Sequence, residues 1–78
     1  MISLDVLKDI VVRQPFYYTI HAQEQMAIRR IRDVEIREVI LGKLAEIIEQ
    51  YPEDKYSPSC LIYGLTNAGR TLHIQANE

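Results

Sequence analysis

The stretch CLIYGLTNAGRTLHIQA, residues 60–76, decides the fold. Two runs rich in branched and aromatic side chains flank NAGR, where Gly69 is free to take positive φ, and the arrangement predicts a β-hairpin. The second run alternates, with Leu72, Ile74 and Ala76 on one face and Thr71, His73 and Gln75 on the other. Upstream, KLAEIIEQY (residues 43–51) reads as a further strand. Its Leu44, Ala45, Ile47 and Ile48 break strict alternation, which predicts burial on both faces. Between these strands PEDKYSPS, with its prolines and turn-forming residues, is a loop.

The N-terminal half has a different period. Leu4, Leu7, Ile10 and Val11 recur at helical spacing behind Ser3, a suitable N-cap, and Pro15 ends the helix by disfavouring α geometry at Gln14. Phe16 to Tyr18 form an extended link. Thr19 then caps a second helix through about Arg30, with Ala22, Met26, Ala27 and Ile31 as its buried stripe. A third helix is expected to start at Asp33 as its cap, to bury Ile36, Val39 and Ile40, and to stop at a left-handed Gly42. Short helices packed on one face of a small antiparallel sheet of about three strands make an α+β fold, residues 1–78 being a single domain.

Composition narrows the function classes. With 47% hydrophobic and 26% charged residues the chain is too apolar for disorder, although 78 residues bury only about 60% of the surface that the unfolded chain exposes. A net charge of −2 argues against a general nucleic-acid binder, yet Arg29, Arg30, Arg32 and Arg37 form a local basic patch. Asp5 and Asp9 interrupt any signal-peptide core, and no apolar run approaches the ~18 residues of a membrane span. The lone Cys60, outside any CxxC motif, fits a buried thiol and a reducing, cytoplasmic setting. No metal site and no cofactor are expected, because the two histidines and scattered carboxylates show no ligand spacing.

HAQEQMAIRRI (residues 21–31) and EIIEQYPEDKYSPSCLIYGLTNAGRTLHI (residues 46–74) resemble a family of small prokaryotic proteins with the patterns HAxxRMxxRGI and GEIIExYPxDKxxPSCLxxGxTxxGRPLHV. That family looks like a branch of the RelE/ParE-like toxins. The resemblance, over about Thr19 to Ile74, implies a compact α+β toxin module, a metal-independent mRNA endonuclease as its activity, and a cognate antitoxin as partner. The chain departs from the pattern at Gln25 (arginine in the family), Arg30 (glycine) and Thr71 (proline). Family members also continue into another strand, so a chain ending at Glu78 is expected to leave a bare sheet edge and to pair as a homodimer.

RNA cleavage without a metal needs a base for the 2′-OH, an acid for the leaving oxygen and cations on the phosphate. Both histidines, His21 and His73, lie in matching segments and are the acid/base candidates. His21 sits at a helix start, where Glu24 one turn on is placed to orient its ring; the alternative is a histidine that only pins the helix. His73, opposite Leu72 and Ile74, lies on the open face if helices cover the other, or is simply a solvated strand residue. Arg70 and Arg29 are the RNA-binding candidates, with a salt bridge to Glu46 or Glu49 as the alternative for Arg29. Tyr51, Tyr56 and Tyr63 are placed either to stack on bases or to pack the sheet, and Asp54 and Lys55 read as a solvated turn. Two functions stay open: a toxin-type ribonuclease, or a non-catalytic module of the same fold that binds a protein or a second copy through its sheet edge.

Overall fold

The structure is a computed structural model that describes residues 1–55 and 57–77; Tyr56 and Glu78, with the base-stacking and chain-end expectations attached to them, lie outside the described residues. Three helices, α1 (Leu4–Arg13), α2 (Ile20–Arg29) and α3 (Asp33–Leu41), precede three strands, β1 (Glu46–Tyr51), β2 (Ser59–Leu65) and β3 (Thr71–Asn77). The strands form one antiparallel sheet in the order β1-β2-β3. The helical layer covers one of its faces, and Leu7, Val11, Ile36, Val39 and Ile40 meet Cys60, Ile62 and Leu72 in the core.

α3 is the helix closest to the sheet because glycine lets it in. Val39 is fully buried, and a Cβ placed on Gly64 would stand 2.9 Å from Val39 Cγ1. Gly42 departs from expectation: its φ of −69° is not left-handed. Its lack of a side chain serves clearance instead, since a Cβ there would lie 2.9 Å from the Glu38 carbonyl oxygen. Asp33 is also not the cap, being the first residue of α3 behind Arg32. The Arg32 N–H donates to Glu35 Oε1 at 2.9 Å, so Glu35 reaches back to satisfy the helix start. At α1, Ser3 holds the N-cap position in extended geometry, but its hydroxyl makes no capping bond.

α2 is the outlying helix. Thr19 Oγ1 accepts the Ala22 N–H at 3.0 Å, as its sequence suggests. No residue of α2 is fully buried; Met26 and the following Ile31 pack against the core, whereas Ala27 of the expected stripe is exposed. The helix stops at Arg30, which adopts φ 54°, ψ 49°, while the Ile31 N–H donates to the Met26 carbonyl at 2.8 Å. This is a left-handed helix end of the kind glycine usually occupies.

β1 is an edge strand rather than one buried on both faces: Ile48 is 47% exposed, and Leu44 just before it 64%. The irregular hydrophobic pattern comes from a bulge, because Ile47 pairs with Ile62 but Glu49 pairs with Leu61, leaving Ile48 as the extra residue. The β2–β3 hairpin matches its sequence signature. Gly69 has φ 87° and donates its N–H to the Thr66 carbonyl, while Thr66 and Arg70 close the loop by main-chain bonding at 2.8 Å. Glu38 of α3 accepts the Asn67 N–H at 2.9 Å and so fastens the turn to the helical layer.

Candidate site on the open sheet face

Cross-strand register determines which side chains share the face that the helices leave open. Tyr63 pairs with His73 and Glu46, Leu61 with Gln75 and Glu49, Ser59 with Asn77 and Tyr51, and directly opposed residues project to the same side. His73 is therefore exposed on the open face, with buried Leu72 beside it pointing into the core. The Tyr63 ring lies 5.2 Å from the imidazole, centroid to centroid, at an interplanar angle of 60°. Tyr63 is half-buried and positions the exposed ring.

Below this pair a polar network ties the β1–β2 loop to β3. Asp54 accepts from the Ser59 hydroxyl at 2.5 Å and from Gln75 Nε2 at 3.1 Å, and Gln75 Nε2 also donates to Ser59 Oγ. These donors, the Ser59 hydroxyl foremost, hold the Asp54 carboxyl below the usual carboxylate range. Asp54 is thus an organised loop anchor and not merely a solvated turn residue. Nothing in the local spacing of PEDKYSPS announces the contact with Gln75, which comes from another strand. Nearby, the Tyr51 hydroxyl donates to Glu49 Oε2 at 3.0 Å, which pushes the Tyr51 pKa upward. Gln50, Tyr51, Pro52, Glu53, Asp54 and Gln75 line a shallow depression at this end.

The charge of this face is one-sided. The three strands contain Glu46 and Glu49 and no lysine or arginine; Glu53 and Asp54 add two further carboxylates in the adjoining loop.

The other candidates lie elsewhere. His21, the second residue of α2, is exposed, and among the described residues neither its side chain nor that of Glu24 has a hydrogen-bond or ion-pair partner. α2 belongs to the helical layer through Met26, so His21 and His73 sit on different layers of the molecule. Arg70 and Arg29 do meet, but through the main chain. Arg70 donates from Nη1 to the Arg30 carbonyl at 3.1 Å and from Nη2 to the Arg29 carbonyl, and Nη1 lies 3.6 Å from Glu35 Oε2. Its guanidinium thereby satisfies the carbonyls at the end of α2 and bridges to α3. The Arg29 side chain is exposed and pairs with neither Glu46 nor Glu49, which face the opposite side of the sheet.

Arg37 repeats the device at the end of α1. It donates to the carbonyls of Val11 at 2.6 Å and Gln14 at 3.4 Å, pairs with Asp33 at 2.7 Å, and lies 4.2 Å above the Phe16 ring. The Tyr18 hydroxyl donates to the same Asp33. Burial, followed by this bond to a carboxylate, raises the Tyr18 pKa well above the ordinary tyrosine range, and the bonds from Tyr18 and then Arg37 lower that of Asp33. Part of the basic patch is consequently internal bracing.

The profile of a domain of unknown function, DUF4258, matches residues 18–78, which take in α2, α3 and the whole sheet. The chain belongs to the DUF4258 family. No curated protein and no solved structure matches it. α1 lies outside the DUF4258 span, yet it supplies Leu7 and Val11 to the shared core. Among the described residues no helix is long and apolar enough to cross a membrane.

Proposed function

We propose that this DUF4258 protein is a non-catalytic, RelE/ParE-like binding module, the toxin-type member of a pair with a neutralising antitoxin, and that it works by protein association through its sheet. The observation that carries this reading is the charge of the sheet: its strands hold carboxylates and no cation around His73. Phosphoryl transfer on RNA needs cations on the developing phosphate charge. The best-placed arginine, Arg70, is engaged with the α2 carbonyls and Glu35. The placement of His21 on a helix of the helical layer and of His73 on the open sheet face speaks against a paired acid and base as well. A surface with tyrosine, leucine and carboxylate side chains suits a basic or neutral polypeptide better than a polyanion.

One observation favours a second reading, a metal-independent ribonuclease built on one histidine. The exposed His73 imidazole is oriented by Tyr63, as a general base would be. Induced expression of the wild type and of His73→Ala separates the two. The binding module leaves cellular RNA intact, and any growth effect survives the substitution. Growth arrest with RNA cleavage, both abolished in His73→Ala, overturns the binding reading and establishes the enzyme.

A further inference from the structure

The two edges of the sheet are built differently. The β1 edge is bulged at Ile48 and carries Glu46 and Glu49. The Gln50 amide accepts the Ile2 N–H at 3.1 Å and donates to the Ile2 carbonyl at 2.9 Å, which holds the N-terminal segment against that strand. A bulge and charged side chains are devices that keep an edge from pairing with another chain. Among the described residues β3 has neither. Thr71–Asn77 runs in unbroken register against β2 and contains no proline, aspartate, glutamate, lysine or arginine. Among the described residues its main chain hydrogen-bonds only to β2.

We propose that β3 is a pairing edge and that its occupant is β3 of a second copy of this chain, antiparallel and centred on Ile74. The inference rests on the binding-module reading and adds to it an association of the chain with a second copy of itself. The sequence of the strand is complementary to itself about that centre. Ile74 meets its own counterpart and Leu72 meets Ala76 on the helical side, while His73 meets Gln75 and Thr71 meets Asn77 on the open side. Apolar groups oppose apolar, polar oppose polar, and no like charges face each other. Ile74 and Ala76 are only half-buried in the single chain, so pairing gives cover to apolar surface that the helices leave uncovered. The product is a six-stranded sheet with a twofold axis, closed by the blunted β1 strand at each end.

The test uses the full chain. Opposed residues in an antiparallel pair have Cα atoms about 4.5–5.5 Å apart, inside the ~4.4–6.8 Å range of disulfides. A mixture of His73→Cys and Gln75→Cys should form a mixed disulfide on mild oxidation, and neither variant alone should cross-link; Cys60 is fully buried and does not compete. Sedimentation equilibrium should show a dimer that Ile74→Lys converts to a monomer with unchanged far-UV circular dichroism. A wild type that stays monomeric to millimolar concentration overturns the proposal, as does a dimer without the mixed disulfide. If Ile74→Lys fails to fold, the disulfide decides alone. RNA cleavage plays no part in these readouts, so a monomer with intact RNA refutes the pairing edge and leaves the binding-module reading standing.

Discussion

Replacing Arg30 by glycine should stabilise the protein, and the size of the gain follows from one backbone angle. Arg30 is the described non-glycine residue with positive φ, at 54°. Left-handed geometry costs an L-residue roughly 1–2 kcal/mol through the clash of Cβ with the following carbonyl. Glycine relieves that clash but brings a more flexible unfolded chain, which takes back about 0.4–1 kcal/mol. The net gain is about 0.5–1 kcal/mol. For 78 residues at about 2.1 cal/mol/K per residue, the entropy of unfolding is near 0.16 kcal/mol/K, so Tm should rise by about 3–6 °C. The Arg30 side chain makes no hydrogen bond or ion pair among the described residues, and the Arg70 contact is to its carbonyl, which glycine retains. Thermal unfolding at one protein concentration is the assay, with Arg30→Ala as the control that removes the same side chain but keeps the strain. A Tm for Arg30→Gly equal to or below that of Arg30→Ala would refute the reasoning.

Three other outcomes follow from the same contacts. Arg70→Ala should lower stability by about 1.5 kcal/mol, the lower end for bonds to a charged group because the side chain is partly exposed, and Arg70→Lys should recover little since it lacks the planar fork; urea unfolding midpoints measure both. Gly64→Ala places a methyl group 2.9 Å from Val39 Cγ1 and should destabilise by about 1–3 kcal/mol, read by the same titration. Asp33, Glu35 and Asp54 have lowered pKa values, Glu35 mainly through the Arg32 N–H, so the unfolded chain binds protons first as the medium is acidified. Their stabilisation is complete above the unfolded carboxylate range of about 3.9–4.3 and is lost as pH falls through and below it. Tm should therefore drop on acidification, less steeply in Asp33→Asn, as a pH series of thermal scans will show.

The elements that sequence alone revealed are those whose information is local. The NAGR turn, the alternation of TLHIQA and the Ile36, Val39, Ile40 face of α3 each report a period or a backbone need within a few residues, and each is realised. Leu44, Ala45, Ile47 and Ile48 misled because a bulge and a doubly buried strand produce the same irregular hydrophobic run; only the register against β2 separates them. Gly42 misled because glycine answers both to positive φ and to close packing, and here packing against the Glu38 carbonyl is the reason. The candidate site was half legible. Alternation placed His73 on the open face, and the partnership with Tyr63 is the cross-strand contact that strand pairing then creates. The fates of Arg70 and Arg37 were hidden, since their carbonyl acceptors stand 23 to 41 residues away in the chain and no local pattern connects them.

Whether His73 works as a catalyst or as part of a binding face is tested most directly by incubating purified wild type, His73→Ala and Tyr63→Phe with end-labelled RNA in chelator. The expected result is intact RNA with all three proteins. Cleavage by the wild type that falls by about 100-fold or more in His73→Ala, the loss expected on removing a general base, would contradict the binding-module account.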